Sequence, residues 1–242
     1  IHAPTGKRVG LGLSIVNEEI GNGTSQQTYF DAAFSYTIPT GNEGKLSFGL
    51  KAGGHLLNLD FAKLSGFTEE QGANGFPNID KKFSPNFGAG VYYHTGHFYA
   101  GLSVPNFLET EHFDSSNSAS SYLARERMNW YLITGYVFDI NQNLKFKPAL
   151  LFKAVKGAPL QADLSANFLI NKKFSLGAAY RWDAALSALV GFQITDQFMI
   201  GLAYDREVTE LGNTSFNDGS FEVFLRYEFF NNRNRVLTPR FF

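Results

Sequence analysis

The sequence predicts an all-β fold, a transmembrane up-and-down antiparallel β-barrel, and three observations predict it. Apolar residues alternate with polar or small ones at period two through nearly the whole chain, as a strand with two unlike faces requires. Many of these stretches exceed the roughly five or six residues usual in globular proteins and match the about nine to eleven tilted residues that cross a bilayer. The connections between them sort by parity, short ones on one side and mostly longer ones on the other.

Twelve strands are visible, near residues 7–17, 27–38, 44–57, 84–94, 97–105, 126–139, 143–154, 158–170, 173–182, 185–194, 197–207 and 219–230. In the ninth, Phe174, Leu176, Ala178, Tyr180 and Trp182 share one face, and Ser175, Gly177, Ala179 and Arg181 the other. The segments at 198–205 and 221–229 divide in the same way, and none shows the 3.6-residue spacing of a helix. Tight links are expected at Gly41-Asn42-Glu43, Thr95-Gly96, Asn141-Gln142, Asn171-Lys172 and Thr195-Asp196. The opposite set holds the long loops 58–83, 106–125 and 208–218, a medium link at 18–26, and short ones at 155–157 and 183–184. Residues 114–122 are the one low-complexity stretch, an exposed loop.

This sorting places the tight turns and the C-terminus in the periplasm and the longer loops outside the cell, in a bacterial outer membrane. A soluble sandwich, the rival fold, has no reason to sort loops by parity. Aromatic residues toward strand ends supply the expected headgroup girdle: Trp130, Tyr136, Phe138, Phe168, Phe174, Tyr180, Trp182, Tyr227 and Phe229. No apolar run reaches the about 18 residues of a membrane-crossing helix. The expected domains are the barrel, 1–230, and a basic periplasmic tail, 231–242. The chain opens at Ile1, read as a processed or trimmed N-terminus.

A net charge of -1 gives no footprint for nucleic acid, and the absence of cysteine excludes disulfides and thiolate metal sites. Of the histidines only His94 and His97 are neighbours, flanking one tight turn; solvated turn residues are the favoured reading over a metal pair, and no cofactor is expected. Charges fall on the lumen face at Asp31, Lys51, Lys145, Lys147, Lys153, Asp163, Arg181, Asp205, Glu222, Arg226 and Glu228. A polar, water-filled interior explains them better than a catalytic constellation, so no catalytic residue is assigned. Gly10, Gly12, Gly88 and Gly90 sit within strands and not at a strand-to-helix turn, so they suit the approach of a plug, loop or bend to the wall rather than a nucleotide. The tail carries Arg233, Arg235 and Arg240 before a terminal Phe241-Phe242. It reads equally as a periplasmic docking peptide or as a tail folded against the barrel.

Four segments stand out as motifs. Three are Gly10-Leu11-Gly12-Leu13-Ser14-Ile15-Val16-Asn17 with Ile20-Gly21, Tyr36-Thr37-Ile38-Pro39 leading into Gly44-Lys45-Leu46-Ser47-Phe48-Gly49-Leu50, and Thr238-Pro239-Arg240-Phe241-Phe242. The most specific is Pro85-Asn86-Phe87-Gly88-Ala89-Gly90-Val91-Tyr92-Tyr93, continuing through Phe98-Tyr99-Ala100-Gly101-Leu102-Ser103-Val104-Pro105. Together they resemble the PorP/SprF membrane proteins of the type IX secretion system. The resemblance implies an outer-membrane component that binds, helps export or anchors cargo, such as a surface adhesin, bearing a C-terminal sorting domain. It further implies periplasmic secretion or motility partners, a role in gliding, no enzymatic motif, and about one additional N-terminal hairpin, hence fourteen strands in the complete barrel. A channel for small solutes, biased toward anions by Lys145, Lys147, Lys153 and Arg181, is the alternative expectation, with a barrel protease or lipid-modifying enzyme third.

Overall fold

The structure is a computed structural model, which describes residues 2–4, 8–21, 23–41, 43–60, 63, 78–109, 127–209 and 219–227. Its strands are β1 His2–Pro4, β2 Val9–Ile20, β3 Ser25–Thr40, β4 Gly44–Leu59, β5 Ile79–His94, β6 Phe98–Val104 and β7 Asn129–Tyr136. The remainder are β8 Phe138–Asn141, β9 Leu144–Val155, β10 Gln161–Ile170, β11 Phe174–Arg181, β12 Ala185–Gln193, β13 Phe198–Glu207 and β14 Ser220–Tyr227. All pair antiparallel in one sheet, each with its neighbour in the chain; β8 continues β7 past Val137 and pairs with β9. Among the described residues the sheet is therefore an up-and-down path of thirteen strands, not twelve. The addition is β1, too short to show an alternation of its own. Among the described residues no ladder joins β1 to β14.

The faces of this sheet are inverted relative to a soluble protein. Among the described residues the buried large apolar side chains are few: Leu57, Tyr99, Val104, Val137 and Met199. Most exposed ones instead line one face from β2 to β14, including Leu13 at 64 % exposure, Leu202 at 57 % and Val223 at 68 %. Among the described residues no second sheet packs on them, which overturns the sandwich reading. In water such a surface would be a large aggregation site; against hydrocarbon it is the stable arrangement. Strand-to-strand ladders also satisfy the backbone where no water can, at a cost of several kcal/mol for each group left out.

Aromatic side chains bound this apolar face at both ends. Toward the short-turn rim Phe98 lies opposite Tyr136, Phe138 opposite Phe146, Phe146 opposite Phe168, and Phe198 opposite Tyr227. Ring centroids are 4.6 Å apart for Tyr136–Phe138 and 4.8 Å for Phe146–Phe168. Toward the other rim stand Trp130, Tyr180, Trp182 and the pair Tyr204–Phe221 at 4.5 Å. Phe229 lies outside the described residues.

The turns explain themselves locally. Asn171 and Lys172 both take positive φ, 52° and 57°, and the Lys173 N–H donates to Ile170 O at 3.0 Å, a turn whose twist matches the strands it joins. Thr95 and Thr195 close two further turns by one device. The hydroxyl of each accepts the N–H groups two and three residues on, at 3.3 and 3.0 Å for Thr95 and at 3.3 and 3.1 Å for Thr195. At the opposite rim β2 and β3 extend further than the alternation suggests, so the link expected at 18–26 contracts to residues 21–24. Likewise β4 and β5 reach Leu59 and Ile79, so the loop expected at 58–83 shortens to 60–78.

Candidate functional site

The inner face has two unlike walls. Along β2 to β6, cross-strand register aligns Gly10, Ser35, Gly49, Gly90 and Ser103 in one row, and Gly12, Ala33, Lys51 and Gly88 in the next. Apart from Lys51 these are small residues, and with Pro105 they line a recess of about 600 Å³. Elsewhere inward glycines are covered by rings: a Cβ on Gly135 would lie 2.6 Å from the Tyr99 ring, and one on Gly101 2.9 Å from Tyr92. At Gly49 the nearest atom would be 3.8 Å away, so that part of the floor is open.

The second wall carries two matched sets of charges. Arg181 donates to both carboxylate oxygens of Asp163, at 3.0 and 3.2 Å, from the position directly opposite on the neighbouring strand. Lys145 and His97 converge on Asp139, at 2.7 and 3.0 Å. Lys147 is buried, and Lys153 lies 5.8 Å from the centroid of the Tyr131 ring. On the glycine-rich wall Lys51 pairs with Asp31 at 3.1 Å. Asp205 and Glu222 follow on β13 and β14, with Ser220 and Ala203 as their cross-strand partners, and Arg226 lies opposite Met199. The bases expected to bias a channel toward anions thus include two, Lys145 and Arg181, already neutralised by carboxylates. Glu228 lies outside the described residues, as do Arg233, Arg235, Arg240, Phe241 and Phe242.

His94 and His97 do not converge on one point. The His94 ring lies 5.7 Å from Tyr92, whereas His97 reaches Asp139 and faces Tyr136. Among the described residues no group of three His, Cys, Asp or Glu is placed to hold a metal ion.

The feature missed by reading the sequence is a strap at the long-loop rim. After Val104 the chain leaves the wall and crosses to the inner side of β5. A Cβ on Gly88 would clash with Pro105 O, a close approach that glycine alone permits. The Phe107 N–H donates to Phe87 O at 2.8 Å, and the Asn86 side chain completes the attachment. Its Oδ1 accepts from Leu108 N at 3.1 Å while its Nδ2 donates to Leu108 O at 3.1 Å, the pattern of a backbone bridge made by an amide. The Lys51 ammonium donates to Asn106 Oδ1 at 3.2 Å. Pro105 and the Gly-x-Gly pair beside it were the available signals, yet neither says which side of the wall the chain takes.

Phe107 and Leu108 on this strap remain exposed, at 38 % and 42 %, as do the inward-facing Val16 and Ile20 near the end of β2. The mouth of the interior therefore presents apolar surface to water.

A one-sheet wall with lipid-type apolar positions outside and paired charges inside defines a membrane protein of the β-barrel class. The chain belongs to the PorP/SprF family, described as type IX secretion system membrane protein, whose sequence profile matches residues 1–227. That family is one of secretion-system membrane components rather than enzymes. No curated protein matches the chain.

Proposed function

We propose that this chain is an outer-membrane component of the type IX secretion system that binds cargo proteins through their C-terminal sorting domain and helps export them or anchor them at the cell surface. In a gliding cell a surface adhesin would be such a cargo. The observation that carries this reading is the exposed apolar surface at the mouth, Val16, Ile20, Phe107 and Leu108, which suits a protein partner better than passing solutes. The neutralised lumen bases support the same choice. In this reading the long-loop rim is extracellular, the tight turns are periplasmic, and the barrel occupies residues 1–230. The basic tail, 231–242, with Arg233, Arg235, Arg240, Phe241 and Phe242, is proposed to contact periplasmic secretion or motility components.

The test is surface retention of cargo in cells carrying the paired change Phe107→Asp and Leu108→Asp, or Val16→Asp alone. Cargo should be shed into the medium while the barrel still shows heat-modifiable migration on gels. Full retention with both variants would remove the mouth from the mechanism. Deleting residues 61–77, which spares both strands, should likewise release cargo.

A further inference from the structure

Cross-strand register fixes which side chains face inward at the long-loop end of β2, β13 and β14. On β2 they are Val16, Glu18 and Ile20, opposite Tyr29, Gln27 and Ser25. On β13 they are Asp205 and Glu207, and on β14 Ser220 and Glu222, which lie opposite Asp205 and Ala203. Every ionisable group in this set is a carboxylate. Glu207 accepts the Thr209 hydroxyl proton. Among the described residues the side chains of Glu18, Asp205 and Glu222 have neither a hydrogen bond nor an ion pair. The lumen bases of this region are engaged elsewhere: Arg181 with Asp163, Lys51 with Asp31, and Lys153 against the Tyr131 ring. Asp205 and Glu222 are diagonal neighbours on paired strands, close enough for two negative charges to repel.

The mouth thus combines exposed apolar side chains with uncompensated negative charge. On β2 the two alternate, Glu18 standing between Val16 and Ile20, which are 54 % and 56 % exposed. An anionic solute is repelled by such a rim, and among the described residues no group of three acids is placed to hold a metal ion. A polypeptide segment answers both features, burying its apolar side chains on the apolar ones and setting lysine or arginine on the carboxylates. In an extended segment successive side chains point to opposite faces, so one face can be apolar and the other basic. We infer that the mouth selects a cargo segment in which basic and apolar residues alternate, the bases engaging Glu18, Asp205 and Glu222. The inference rests on the cargo-binding reading and adds to it the charge that the partner carries.

Fluorescence anisotropy of labelled octapeptides on the purified full chain in detergent micelles tests it. The peptides are alternating lysine–valine, serine–valine and glutamate–valine, with lysine alone as a fourth. Lysine–valine should bind on the order of tenfold tighter than serine–valine, lose that advantage in high salt, and outcompete lysine alone, while glutamate–valine should not bind. Glu18→Gln, Asp205→Asn and Glu222→Gln should each lower lysine–valine affinity by about twofold to threefold, and the triple variant should bring it down to that of serine–valine. These substitutions keep size and fall on side chains facing water, so the folded gel band should persist. Phe107→Asp with Leu108→Asp should instead weaken lysine–valine and serine–valine alike. Equal binding of those two peptides by the wild type, or a lysine advantage that survives the triple variant, overturns the inference. So does lysine alone binding as tightly as lysine–valine, since attraction would then be to charge without a segment. Cargo retention and peptide binding both untouched by the Phe107 and Leu108 changes would overturn the cargo-binding reading itself.

Discussion

Asp163 and Arg181 face each other across β10 and β11 and are joined by two parallel hydrogen bonds, 3.0 and 3.2 Å long, on the lumen side of the wall. The pair fixes register as well as charge, because a one-residue slip of either strand would turn its charged group toward hydrocarbon and leave the other unpaired. Arg181 is about half exposed, at 48 %, so water screens the attraction. A double-mutant cycle of Asp163→Asn with Arg181→Gln, read from denaturant unfolding in micelles, should give a coupling of about 1 kcal/mol that shrinks with added salt. No measurable coupling would mean that the lumen solvates the two groups separately.

The inward glycines divide into covered and open ones, and substitution should separate them. Gly135→Val drives a branched side chain into the Tyr99 ring and should destabilise by about 1–3 kcal/mol, seen as a lower temperature for loss of the folded gel band. Gly49→Ala adds a methyl to open space and should be neutral or slightly stabilising in a strand. A tolerated Gly135→Val would show that Tyr99 turns aside freely.

Every strand with a clean alternation was legible in the sequence, because the period of two is imposed by the two environments the wall separates. Leu186, Val190 and Phe192 could be placed outside, and Ser187 and Gly191 inside, without coordinates. Strand ends near the long-loop rim were less legible. There β2 to β5 rise beyond the apolar belt, so polar residues such as Asn17, Thr28 and Asn58 occupy outward positions and the alternation fades while the ladder continues. The one-sidedness of lumen charge at Asp163 and Arg181 was readable, but their pairing was not, since it depends on inter-strand register. The strap was invisible for a related reason: Pro105-Asn106-Phe107-Leu108 looks like the start of any loop, and the partner that pulls it inward, Asn86, lies twenty-two residues earlier.

Release of the strap should be measurable as current. Asn86→Ala removes both bonds to Leu108, and a second change, Lys51→Met, removes the hold on Asn106. In planar bilayers the double variant should pass more current per inserted barrel than the wild type, because the inward segment no longer fills that side of the mouth. Identical conductance would show that Pro105–Leu108 does not limit the opening.

The inverted sidedness of the sheet makes its sharpest prediction at two adjacent residues. Leu202 is 57 % exposed on the outward face in the middle of β13, and Ala203 next to it points inward, directly opposite Glu222. Leu202→Arg sets a guanidinium against hydrocarbon near the midplane and should cost about 2–4 kcal/mol in reversible folding into bilayers. Ala203→Arg sets the same group in the wet interior beside a carboxylate and should cost far less, or nothing. A soluble sheet protein would give the opposite result, since there the exposed Leu202 would accept a charge freely. Arginine scanning at the neighbouring pair Val190 and Leu189, where the outward residue is again the costly one, extends the test to β12 and shows whether the same boundary runs continuously around the wall.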